Sequence, residues 1–182
     1  MPDLSHSRNA PALVPSALLR TLPPASRFVL RSSRAVMDAA AAAIGLSLPA
    51  IACRSAQADP RAALWLGPDE QLLLSTVADG PALATLLEVA LAGMPHSLVD
   101  VSHRQIALEL HGTQAPVALN VGCPLDLDIA AFPVGMCTRT ILGKADVVLW
   151  RTAAERFHLE VWRSFAQYTS AFLAQASLGL AG

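Results

Sequence analysis

Lysine is all but missing from this 182-residue chain: among 13 basic residues Lys144 stands alone, and the rest are arginine. Charge of either sign is scarce, at 15% of residues with a formal net charge of −1. A chain so nearly neutral has no electrostatic footprint for nucleic acid and no basic face for an anionic membrane. Cysteine is scarce too. Cys53, Cys123 and Cys137 are odd in number and far apart, so they make no disulfide framework and point to a reducing, cytoplasmic setting. Long apolar runs are absent although 53% of residues are hydrophobic. Residues 39–53 come nearest, but Gly45 and Pro49 break them short of the roughly 18 to 20 that a membrane span needs. The start, Met1-Pro2-Asp3, has no basic region, and Pro11, Pro15, Pro23 and Pro24 cut its apolar pieces, so it does not read as a secretory signal.

Motifs of known chemistry are equally thin. No G-x-G-x-x-G opens a helix after a strand. Gly143-Lys144 is followed by Ala145 where a phosphate loop needs Ser or Thr, and Thr138 stands where its first glycine would be. His6, His96, His103, His111 and His158 show no paired ligand spacing, and no C-x-x-C exists. No G-x-S-x-G elbow is present. Cys123 with His103 or His111 is the best nucleophile–base pair, and it reads better as a small apolar side chain filling a loop. The densest polar cluster runs from Asp100 to Arg104. It reads as a strand-end turn in which Asp100 and Ser102 bond backbone amides while Arg104 meets a carboxylate. No catalytic, cofactor-binding or metal-ligating residue is therefore assigned.

What the chain has is apolar surface in excess of one small core, which implies cover by another protein. Residues 1–26, rich in Pro, Ala and Ser yet carrying Leu13, Val14, Leu18, Leu19 and Leu22, form an extended N-terminal strip. Residues 27–182 make a single α+β domain. Alternation predicts strands over 27–31, 50–53, 62–66 and 71–75, then 97–101, 105–110, 136–142, 145–151 and 157–161. Helices are predicted over 35–44, closed by Gly45, and over 81–91, opened by Pro81. A third runs from an N-cap at Thr113 to Gly122, and a fourth starts at a capping box, Ser164 to Gln167, and buries Phe165, Tyr168 and Phe172. The order strand, helix, strands, helix occurs twice, about 27–95 and 96–182. This gives two pseudo-repeated split β-α-β, ferredoxin-like halves.

The helices over 35–44 and 81–91 are apolar nearly all round, so one side can face this chain's sheet and the other a partner. Trp65, Arg139, Trp150, Trp162 and Arg163, with Glu160 among them, are the residue types of an interface hot spot. They can equally pack within the sheet, with Trp over Arg on its solvent face.

The second half carries specific wording. Cys137-Thr138-Arg139-Thr140-Ile141-Leu142-Gly143-Lys144-Ala145 precedes Val148-Leu149-Trp150-Arg151, and Phe157 to Ala166 with Tyr168 follow. Together with Trp65 to Glu70, Asp100 to Arg104 and Gly122 to Leu127, these runs resemble the gamma subunit of heterotetrameric sarcosine oxidase, from Ala63 to Leu173. The resemblance implies a fold like that of the folate-binding aminomethyltransferase T-protein. It also implies a non-catalytic part in a complex that oxidises sarcosine to glycine, assembled with alpha, beta and delta subunits. FAD, FMN, NAD and tetrahydrofolate would then be held by other subunits, and zinc by the delta subunit. Two alternatives stand beside it. One is a gamma-like subunit of a complex acting on another N-methyl amino acid, such as N-methylglutamate. The other is a free-standing folate-binding protein, which needs a carboxylate to grip the pterin, with Asp100 and Glu160 as candidates.

Overall fold

The computed structural model describes residues 17–179, in which ten strands and four α-helices build two antiparallel five-stranded sheets. The described chain opens with β1 (Leu18–Thr21) and passes Pro23 and Pro24 into β2 (Ala25–Ser32). Helix α1 (Arg34–Ile44) buries Val36, Met37, Ala40 and Ile44, which recur at helical spacing. It ends at Gly45, whose φ of 65° only glycine adopts without strain. Strands β3 (Ser55–Ala58), β4 (Arg61–Gly67) and β5 (Glu70–Thr76) then meander to α2 (Gly80–Ala90) and β6 (His96–Asp100). The remainder is β7 (Gln105–His111), α3 (Ala115–Asn120), β8 (Cys137–Leu142), β9 (Ala145–Ala153) and β10 (Arg156–Trp162). A single 3-10 turn then leads to α4 (Ala166–Gly179).

The two sheets have one plan. The first is ordered β3-β4-β5-β2-β6 and the second β8-β9-β10-β7-β1. Strand for strand, β2 corresponds to β7, β4 to β9 and β5 to β10, while α1 matches α3 and α2 matches α4. Each half is thus a β-α-β-β-α-β unit with one extra edge strand, as in ferredoxin-like folds. The last place in the second half is taken by β1, from the opposite end of the chain, pairing Leu19 with Leu110 and Thr21 with Leu108.

Helices cover the outer faces. Phe28, Leu30, Ala63 and Leu73 pack on α1 and α2, and Leu108, Leu149, Phe157 and Leu159 pack on α3 and α4. The inner faces meet through Leu64, Leu72 and Leu74 of one sheet and Cys137, Val148 and Trp150 of the other. The result is four layers, helix–sheet–sheet–helix, whose sheet pair shares an apolar cluster. Edges are tied as well: the Ser55 amide donates to the Gly135 carbonyl at 2.9 Å and the Cys137 amide to the Cys53 carbonyl at 3.1 Å.

Several expectations are corrected. Residues 50–53 are not a strand: Cys53 has φ 58°, which breaks an extended ladder, and β3 begins at Ser55 instead. Thr113 does not cap α3, whose N-cap is Gln114 with no side-chain bond, and the helix closes before Gly122. The Ser164 capping box is replaced by a 3-10 turn over Arg163–Phe165. On α4 the buried face is Thr169, Leu173 and Ser177, while Phe165 and Tyr168 lie exposed. The boundary at residue 96 also shifts, because β6 completes the first sheet. The strip 1–26 ends in β1 and the start of β2, both sheet members, and its residues 1–16 lie outside the described ones.

Gly122 sits where α3, the β8–β9 turn and α4 converge. A Cβ there would lie 2.6 Å from the Phe172 ring and 2.9 Å from the Gly143 amide nitrogen. Gly122→Ala is expected to lower stability by about 1–3 kcal/mol, as forced overpacking does, read as a drop in melting temperature.

Candidate functional site

Between the sheets lies a charged centre. Arg27 on β2 is 2% exposed and Glu160 on β10 is fully buried. The Arg27 Nε donates to Glu160 Oε2 at 2.6 Å, and Nη2 reaches Oε1 at 3.2 Å. His158 Nε2 lies 2.8 Å from the same Oε1, and Arg27 Nη1 donates to the Ala25 carbonyl at 2.8 Å. Burial works against the Glu160 charge, but the His158 hydrogen bond and the Arg27 guanidinium outweigh it and hold the carboxyl below the usual range. A second ion cluster spans the sheets: Glu70 on β5 accepts from Arg31 of β2 and from Arg139 of β8. Burial raises its pKa, and the two guanidinium groups reverse that to a net depression.

Beside these ion pairs the sheets separate into a cleft of about 840 Å³. Val29, Leu72 and Val99 line one wall and Ile141 and Val148 the other, with Arg31, Glu70 and Arg139 gathered in the same lining. Arg104, Gln105 and Trp162 also border it, and the Arg104 guanidinium stacks 5.2 Å from the Trp162 ring centre.

The sequence candidates separate accordingly. Trp162 and Arg139 line the cleft, whereas Trp150, 7% exposed, lies inside the sandwich against His158 at 5.6 Å and serves the chain's own core. Trp65 is half-buried on the seam, and exposed Arg163 donates to the His103 carbonyl at 3.0 Å. In the 100–104 cluster, Asp100 Oδ1 accepts from the Ser102 amide and Ser102 Oγ from the Arg27 amide, as expected of a strand-end turn. Arg104 meets no carboxylate there; it lies over Trp162, where an aromatic face replaces the acid. Cys123 is buried, its sulfur 3.8 Å from Thr140 Oγ1. Burial pushes the Cys137 thiol up to about 12. The two carboxylates proposed for a pterin lie in different surroundings. Glu160 is enclosed by Arg27 and His158, whereas Asp100 is exposed and accepts from the Ser102 amide through one oxygen. Among the described residues, no three His, Cys, Asp or Glu side chains gather as a metal site. No described helix is long and apolar enough to cross a membrane.

Two arginines escaped the sequence reading. Alternation marks Arg27 only as the start of a strand, although a charged residue in an inward register position of a buried strand implies a partner. Arg151, 3% exposed, donates to the carbonyls of Leu127 and Phe132, at 3.1 and 2.7 Å, and fastens the long loop before β8 to the second sheet.

The paired sheets define a double ferredoxin-like α+β protein with a cleft between its layers. The glycine cleavage system aminomethyltransferase T from Bartonella henselae shares this fold, with a TM-score of 0.65 at 14% identity over 87% of this chain and 45% of that one. The chain belongs to the sarcosine oxidase gamma subunit family, whose pattern matches residues 31–179. It is 36% identical over 139 residues to the sarcosine oxidase subunit gamma of Corynebacterium sp. strain P-1, covering 76% of this chain and 68% of that one. The corresponding Arthrobacter subunit is 37% identical over the same length. A chain of the heterotetrameric sarcosine oxidase from Corynebacterium sp. U-96, solved with pyrrole 2-carboxylate, superposes with a TM-score of 0.86 at 32% identity, over 91% of this chain and 86% of that chain. The family match reaches well ahead of Ala63, taking in α1 and the end of β2.

Replacing Glu160 with Leu should cost about 3–5 kcal/mol, because Arg27 is left buried and unpaired, while Arg27→Met with Glu160→Leu should recover most of that loss. Chemical denaturation of the two single variants and the double variant measures the coupling. Acid is the second test. Glu70 and Glu160 carry depressed values, so their stabilisation is complete above the unfolded value of 4.5 and is lost as pH falls below it. The melting temperature should fall steeply below about pH 4.5, and Glu160→Gln should flatten that acid limb.

Proposed function

We propose that this chain is the gamma subunit of a cytoplasmic heterotetrameric sarcosine oxidase, contributing assembly and stability rather than reacting groups. The single observation that carries this reading is the superposition on a chain of the Corynebacterium enzyme, at TM-score 0.86 and 32% identity, within the family matched over 31–179. Its partners are the alpha, beta and delta subunits. They hold FAD, FMN, NAD and tetrahydrofolate, and the oxidation of sarcosine to glycine takes place among them.

Physical features support a scaffolding part. The inner faces of the sheets are spent on ion pairs and apolar packing, and the thiols are buried or without a basic neighbour within bonding distance. Apolar side chains remain on the outside: Val89 on α2 is 74% exposed, and Leu86, Val99, Ile141 and Trp162 are each at least 40% exposed. Of the sequence candidates, Arg139, Trp162 and Arg163 remain available to a partner, with Trp65 partly so.

Affinity purification of the tagged chain from its native host, read by mass spectrometry, should recover two large flavin-bearing chains and one small zinc-binding chain. Recovery of a folded monomer without partners would overturn the reading. In parallel, calorimetric titration of the chain with tetrahydrofolate should show no binding, as expected of a subunit whose folate is held by another chain.

A further inference from the structure

We propose that a partner subunit adds an extended segment to the free edge of β6, directing an acidic side chain into the inter-sheet cleft toward Arg104; this rests on the subunit reading above. Strand β6 ends its sheet and, among the described residues, pairs only with β2. The Val101 amide donates to the Arg27 carbonyl at 2.8 Å, so by alternation the backbone groups of Leu98 and Asp100 turn toward the open edge. An edge of this kind accepts a further strand through main-chain hydrogen bonds, and alternate side chains of that strand supply the selectivity.

The cleft is shaped for those side chains. Ser97 and Val99, successive inward residues of β6, line it, so an added neighbour would send every second side chain into the same space. Its 840 Å³ holds several side chains. Two polar side chains at its border lack partners. Gln105 is 6% exposed, yet its Oε1 accepts no hydrogen bond, and buried acceptors are seldom left so. Arg104 has an aromatic face beneath it and no carboxylate beside it among the described residues. Arg31, Arg104 and Arg139 against Glu70 and Asp146 leave the lining at 3 − 2 = +1, in a chain whose net charge is −1. An acidic side chain entering the cleft would give Arg104 its missing carboxylate. Half-exposed Val99, Ile141 and Trp162 provide the apolar surroundings that make such a charge pair selective.

The assembled complex provides the test. A photo-crosslinking benzoyl-phenylalanine replacing Val99 should join this chain to one partner subunit, within a stretch containing Asp or Glu. Arg104→Glu should reduce recovery of partners at least about tenfold in physiological salt, while Arg104→Lys keeps most of it. Two results would sink the proposal and leave the subunit reading intact. One is an assembled complex that gives no crosslink to a partner from residue 99; the other is Arg104→Glu assembling as well as the parent. A small organic acid recovered from the cleft of the intact complex would also overturn it. A parent chain that captures no partner would overturn both readings together.

Discussion

The Arg27–Glu160 pair is the constraint on which the rest of the architecture turns. Two charges taken out of water cost several kcal/mol each, and their attraction offsets this only with close geometry and further hydrogen bonds. Both conditions are met, by a two-point contact and by His158 and the Ala25 carbonyl. The pair joins β2 of one sheet to β10 of the other, so it forms only when the sheets pack in a single register. Slipping either strand by one residue would turn its charge toward the helices and leave the other buried alone. Leu64, Leu72, Val148 and Trp150 would pack passably in several offsets, as apolar surfaces do. The charged centre removes that freedom.

The second constraint is topological. The two halves have the same strand order, but β1 fills in the second half the place that β6 fills in the first. The strand that completes the second sheet is thus joined to the first by Leu22, Pro23 and Pro24 alone. The second half cannot stand without the first, since removing 25–100 also separates β1 from its sheet. This explains an apolar N-terminal strip in a sequence otherwise sparing of long apolar stretches: Leu19 packs against the second core, and Ala17 lies within it.

Much of the fold was legible because its signals are local. Helix α1 and its Gly45 stop, the turn at Pro68, the Gly143-Lys144 hairpin and Pro81 in the first turn of α2 each follow from one residue's backbone preference. What was illegible depends on partners distant in sequence. Alternation places Ser97 to Val101 as a strand but cannot say to which sheet it belongs; pairing with Val29 decides that. The face of α4 went astray because aromatic residues were given the core by size, whereas Gly122 and Gly143 bring backbone so close that Phe172 and Tyr168 are pressed sideways over it. At the candidate site, Trp162 and Arg139 were found by residue type. Arg104 stands out in the Asp100 to Arg104 cluster, but its aromatic partner does not; Gln105 is not marked at all, because an unpaired acceptor is visible only once the atoms around it are placed.

The surplus of apolar residues divides unevenly between these constraints. Two helix-covered cores and the seam absorb the leucines, so the exposed remainder is not a by-product of a small core. Two groups within it differ in their surroundings. On α2, Leu86 and Val89 face outward from a helix whose Leu83 and Leu87 are already packed, which suits a flat, non-directional contact. Around the cleft, Val99, Ile141 and Trp162 surround charged and unpaired polar groups, which suits recognition of a particular segment. A subunit needs both: area to hold it in place and a polar lock that rejects other neighbours. Because Arg104 lies over the Trp162 ring, its guanidinium has a favoured position before any partner arrives. Less side-chain entropy is then lost on docking, so a single acidic residue opposite can carry selectivity that a free arginine on an open surface could not.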